Sequence, residues 1–144
     1  REETYHVTMV FIGETDRLSD VEESLKELVI PKFSLAFTGP GYFKGAKGLM
    51  IYQGVKKSEI LQETFNSLIR SLDKRVFSDL PSGYTPHVTL ARRYVPDEKD
   101  LWLEKARESF IRPKPQPVDR IYLYESKLSA QGPTYIPLAY QTLA

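Results

Sequence analysis

The sequence predicts an α+β fold of two similar, pseudo-symmetric lobes, with antiparallel-rich sheets lining a central groove and helices outside. Three observations carry that expectation. Short amphipathic helices alternate with β-rich runs along all 144 residues. The order of elements repeats. The second half reads strand, helix, histidine strand, helix, strand; the first half reads histidine strand, helix, strand, without the first two elements. Finally, the chain's two histidines open the same tripeptide, His6-Val7-Thr8 and His87-Val88-Thr89, in matching context. Average residue usage gives roughly one such coincidence in a few hundred, so the match reads as a duplication.

Each element follows from local pattern. Residues 4–12 alternate, with Tyr5, Val7, Met9 and Phe11 on one face and His6, Thr8 and Val10 on the other, which predicts a strand ended by Gly13. Ser19 or Asp20 caps a predicted helix carrying Val21, Leu25 and Leu28, stopped by Pro31. Residues 33–38 read as a strand ending in a glycine-rich turn, GPGYFKG at 39–45, and 49–55 as another strand. Ser58 opens a long helix with Leu61, Phe65, Leu68 and Leu72 at helical spacing. A loop through Pro81, Gly83 and Pro86 feeds the second histidine strand, 87–91. Residues 97–110 read as a helix, 113–117 as a proline-spaced linker, 118–125 as a strand, and the tail has strand character near 135–138.

Composition bounds the chemistry. Apolar content of 41% and charged content of 27% are those of an ordinary globular domain, and the length suits one domain over 1–144. No apolar run approaches the ~20 residues of a membrane span. Without cysteine the chain has no disulfide, thiol nucleophile or thiolate metal site, which fits a cytoplasmic protein. A net charge of +1 means that nucleic-acid binding must come from a local patch. No glycine-rich phosphate cradle opens a helix, so no nucleotide cofactor is expected.

The duplicated tripeptides carry the functional signal. Histidine and threonine two apart on a strand leave the same face, ~7 Å apart. Two facing copies give two imidazoles, able to exchange protons near neutral pH, and two hydroxyls, able to donate to an anionic oxygen. Such a set without carboxylates suits a phosphate and paired acid–base chemistry. Two histidines without cysteine or HExxH spacing are a poor zinc site, so no metal is expected. Arg92 and Arg93 follow the second tripeptide. Strict alternation puts Arg92 opposite His87, so it reaches the site only if the strand bends. Tyr42 and Phe43 can stack a base or fill the core, and Lys44 and Lys47 offer a small basic patch beside them. Lys56, Lys57, Lys74 and Arg75 read as solvated helix ends.

Two HxT motifs in similar halves resemble the 2H phosphoesterase superfamily, and within it the RNA 2′,3′-cyclic phosphodiesterases, also called 2′–5′ RNA ligases. HVTMVFIGE at 6–14, FTGPGYF at 37–43, TPHVTLARR at 85–93 and IYLYESKLSAQGPTYIPL at 121–138 carry the resemblance across the chain. It implies that His6 and His87 are catalytic, His6 as acid on the ribose 3′ oxygen and His87 as base. It implies that Thr8 and Thr89 hold the phosphate and that Arg92 contacts substrate. The implied activity is metal-independent hydrolysis of RNA 2′,3′-cyclic phosphate ends to a 2′-phosphate, reversible toward 2′–5′ ligation without ATP, by a monomer with no membrane partner. Two alternatives are a phosphodiesterase for small cyclic nucleotides such as ADP-ribose 1″,2″-cyclic phosphate, and a catalytically silent RNA-end binding module. Family members begin with a strand and helix before the first HxT motif. Only five residues precede His6 here, so the reading expects a partial chain or a sheet completed in another way.

Overall fold

The computed structural model describes residues 5–75, 77, 79–97 and 101–144. In chain order these form α1 (Leu18–Lys26), β1 (Phe33–Leu35), β2 (Phe37–Gly45), β3 (Gly48–Val55), α2 (Glu59–Lys74), β4 (His87–Tyr94), α3 (Trp102–Glu108), β5 (Gln116–Val118), β6 (Arg120–Ser129) and β7 (Gly132–Thr142). The predicted α+β class holds, with antiparallel pairing of β2 with β3, β3 with β4, and β6 with β7. Among the described residues no helix is long and apolar enough to cross a membrane. The chain divides into two compact, interleaved units. One takes the described residues of 1–8, 35–57 and 85–116; the other takes 9–34, 58–84 and 117–144.

The first unit is built on the sheet β2-β3-β4. The glycine-rich run 39–45, expected as a turn, is instead paired strand throughout, and the reversal falls at Ala46-Lys47 between Gly45 and Gly48. Its glycines serve close packing. A Cβ on Gly41 would lie 2.6 Å from the Tyr52 ring, and one on Gly54 would meet the Thr38 hydroxyl. Gly48 adopts φ +132 where the Arg93 and Tyr94 backbone passes close by, so only glycine fits without strain. The histidine strand β4 runs three residues beyond the expected 91, and the helix expected over 97–110 is realised as α3, with 98–100 outside the described residues. Trp102 of α3 packs edge-on against Tyr42 and Tyr94.

One expected strand is not there. Residues 5–12 make a single antiparallel bridge, Val7 to Val88, and no ladder. Alternation alone cannot hold a strand; it needs a partner along its length. Here the chain leaves the first unit after Thr8, and Met9 and Val10 pack on the core of the second.

In that second unit α2 starts where the sequence puts it. The Ser58 hydroxyl accepts from the Leu61 N–H, 3.2 Å away. Leu61, Phe65, Leu68 and Leu72 are buried along one face. Burying each such side chain contributes about 1.5–3 kcal/mol before chain entropy is counted. Leu68 joins Leu28, Ile30 and Leu143 in a core that Ile60, Val118 and Ile121 extend. α1 begins at Leu18, so Ser19 and Asp20 occupy its first turn and neither caps it. Arg75, expected to be solvated, is only 17% exposed; it clamps α2 to α1 through Glu27 and, at 3.6 Å, Glu23. The expected linker 113–117 ends in β5, which pairs with β1, and the tail strand is the full length of β7.

Candidate active site

Both HxT motifs belong to the first unit. Val7 opposes Val88 in antiparallel sense. Extending that register by one residue each way sets His6 against Thr89 and Thr8 against His87. A regular ladder there would turn all four to the face opposite the valines, with spacings of about 5 by 7 Å. The two motifs meet at the Val7–Val88 bridge. His6, His87 and Thr89 are half-buried, and Thr8 is exposed.

The His87 ring is held on two sides. Its Nδ1 lies 2.8 Å from the Thr85 carbonyl oxygen. A carbonyl oxygen only accepts, so Nδ1 carries the proton and a neutral His87 presents a lone pair on Nε2. Phe43 packs edge-on at 5.2 Å between centroids, and Tyr52 lies at 5.7 Å. Phe43 and Tyr52 also touch each other, at 4.6 Å. These contacts fix the ring plane and the direction of Nε2.

Arg92 reaches this face because β4 is irregular. Tyr52 pairs with Thr89, but its neighbour Ile51 pairs with Ala91, leaving Leu90 as an extra residue. A bulge of this kind reverses alternation beyond it. Arg92 therefore shares the face of Thr89, and both approach the Met50 sulfur, Thr89 Oγ1 at 3.7 Å and Arg92 Nη1 at 3.6 Å. A second irregularity between Leu49 and Ile51 is absorbed at Arg93, whose φ is +58.

The structure thus packs Phe43 against His87 and sets Arg92 beside Thr89 on one face of β4, both at Met50. Tyr42 does not pack there: one residue along β2, its ring points to the other side, against Trp102. The sequence reading misses Tyr52. Alternation in LMIYQGV does put Met50, Tyr52 and Gly54 on one face, but nothing local pairs that face with His87. Tyr52 also borders a cleft of about 380 Å³ at the β2 edge, lined by Thr38, Gly39, Pro40, Gly41, Arg107 and Phe110. Among the described residues no group of three or more His, Cys, Asp or Glu side chains is placed to hold a metal ion.

Paired HxT motifs define a class of phosphoryl-transfer site, and comparison with known proteins identifies the family. A model of the 2′-5′ RNA ligase superfamily matches residues 2–129. The chain belongs to that superfamily. The RNA 2′,3′-cyclic phosphodiesterase of Thermotoga maritima is 32% identical over 140 residues, spanning 93% of this chain and 73% of that protein. Two solved structures share the fold. E. coli LigT complexed with 3′-AMP matches with a TM-score of 0.77 at 19% identity, covering 99% of this chain and 79% of that one. TT0787 of Thermus thermophilus matches with a TM-score of 0.76 at 21% identity, over 99% of this chain and 79% of that one.

Proposed function

We propose that this chain hydrolyses 2′,3′-cyclic phosphate ends of RNA to a 2′-phosphate and a free 3′-hydroxyl, with His6 and His87 as the acid–base pair and no metal ion. The observation that carries the reading is the pairing of the two HxT motifs across Val7 and Val88. The name of the Thermotoga maritima relative supports the substrate class.

In this reading His87 Nε2 accepts a proton from water as its oxygen attacks phosphorus. The P–O3′ bond breaks, and protonated His6 donates its proton to the departing 3′ oxygen. Proton exchange with solvent resets the pair. Thr8, Thr89 and Arg92 donate to the non-bridging oxygens, whose charge grows in the transition state. The bond from Nδ1 of His87 to Thr85 supports the base assignment, because it leaves Nε2 as acceptor. With a ribose 5′-hydroxyl in place of water as the nucleophile, the same groups form a P–O5′ bond as P–O3′ breaks, giving a 2′–5′ linkage without ATP. Ring strain and the great excess of water over any RNA hydroxyl favour hydrolysis. One chain supplies every group, so a monomer suffices.

The experiment is turnover of a short RNA ending in a 2′,3′-cyclic phosphate, with EDTA present, and separation of 2′- from 3′-phosphate products. Hydrolysis to the 2′-phosphate is expected, faster than for the corresponding cyclic mononucleotide. A 3′-phosphate product would reverse the histidine roles, and turnover abolished by EDTA but restored by a divalent ion would overturn the metal-free mechanism.

A further inference from the structure

The hairpin of β6 and β7 in the second unit presents an aromatic strip that the reaction does not use. Ile121 faces the core. The residues alternating with it, Arg120, Tyr122 and Tyr124, face the other way. Register adds Tyr140 opposite Tyr122, and Pro137 opposite Tyr124, with Tyr135 beyond it on β7. The rings form a contiguous row. Tyr122 stacks on Tyr124 at 5.6 Å and 24°, Tyr140 lies 5.7 Å from Tyr122, and Tyr135 lies 6.1 Å from Tyr124. Three of them stay open to solvent, Tyr122 at 42%, Tyr124 at 43% and Tyr140 at 53%. The Arg120 guanidinium sits 4.7 Å above the Tyr140 ring.

We propose that this strip is a binding track for single-stranded RNA, on which bases stack while Arg120 meets a phosphate. The inference rests on RNA being the substrate. Tyrosine suits the task because its face is apolar and its hydroxyl is wet, and base–aromatic stacking tolerates any sequence. Charge fits a polyanion. The strip face of the hairpin carries Arg120 and no carboxylate. Glu125 lies on the opposite face, paired there with Lys127 at 3.6 Å, and Asp119 precedes β6. A row of half-exposed rings, unlike singly scattered apolar residues, marks an interaction surface.

The test uses a ten-nucleotide RNA ending in an ordinary 3′-hydroxyl, so that binding is read without catalysis, beside hydrolysis of a cyclic-phosphate dinucleotide. Tyr122→Leu and Tyr140→Leu are each expected to weaken ten-mer binding roughly tenfold, the scale of one lost stack. Tyr122→Phe keeps the ring and should bind as wild type does. Arg120→Gln should lower the salt dependence of binding by about 0.7 in the log–log slope, one phosphate contact on a single strand. Dinucleotide turnover should be unchanged in all four, which also shows that they fold. Tyrosine variants binding the ten-mer as wild type does would overturn the proposal. So would a concentration-dependent dimer that Tyr140→Leu dissolves, since the strip would then be a contact between copies. If wild type binds the ten-mer through the strip yet turns over no cyclic end, the catalytic reading falls and the track stands.

Discussion

At the scale of single residues, the site depends on orientation more than on unusual side chains. His87 is an ordinary imidazole whose Nδ1 proton is committed to the Thr85 carbonyl and whose ring is held by Phe43 and Tyr52. His6→Ala and His87→Ala should each slow turnover by about 10²–10⁴, the usual contribution of a positioned acid or base. The double variant should cost far less than the product, because both groups act in one step. The wild-type rate should follow a bell in pH; a flat profile from about pH 5 to 9 would remove the pair from the mechanism. Tyr52→Ala leaves every proposed proton carrier in place but frees one side of the His87 ring. It should lower kcat with little change in KM, and Tyr52→Phe should restore it. Equal loss in both variants would show that the hydroxyl, and not the ring, matters.

At the scale of elements, a bulged strand and a clamped helix pair each have a measurable consequence. The Leu90 bulge turns Arg92 onto the face of Thr89. Deleting Leu90 removes the extra residue but leaves Arg92 two positions after Thr89, on the same face. Affinity for a 2′-phosphorylated dinucleotide should therefore stay near wild type in the deletion variant, whereas Arg92→Ala should lower it roughly 10-fold or more for a lost charge-assisted bond. Calorimetric titration of both variants checks this, and a deletion variant as weak as Arg92→Ala would refute it. The helix clamp makes a pH prediction. Hydrogen bonds from Arg75 and Ser71 hold the Glu27 carboxyl down at about 2, from 4.5. A carboxylate with a depressed folded value stabilises the fold above about 4.5, and loses that contribution as pH falls toward 2. Urea midpoints of wild type and Glu27→Gln should therefore differ near neutral pH and converge on acidification. A gap that persists as pH nears 2 would place its origin elsewhere. The contribution is modest, since Glu27 lies at the surface.

At the scale of the molecule, the chain passes five times between its two units, so neither is a continuous segment. Loss of order in one unit frees the ends of the segments that build the other and adds loop-closure cost to it. Trp102 fluorescence reports the first unit, and far-UV circular dichroism is dominated by α2 of the second. The two thermal transitions should coincide; separated midpoints would show independent units. Leu72, 2% exposed, is one of the best-buried side chains. Leu72→Ala should cost about 2–5 kcal/mol by denaturant titration, through lost burial and the cavity left behind.

What the sequence determined by itself is whatever local spacing encodes. The second HxT motif is legible because His87 and Thr89, two apart on β4, share a strand face. The helix α2, its Ser58 cap and its buried leucines are legible because a helix closes its own hydrogen bonds. Pairing between strands is different, because the partner is distant in the chain. Residues 5–12 alternate well, yet form only the Val7 bridge. The glycines of 39–45 look like a turn, yet lie in a ladder because Tyr52 fills the space that the missing side chain of Gly41 leaves. Arg92 reads as facing away from His87 until the register of β3 exposes one residue too many in β4. Side-chain identity fixes the chemistry each residue can perform. Cross-strand register, set by long-range packing and invisible to periodicity, decides which residues perform it together.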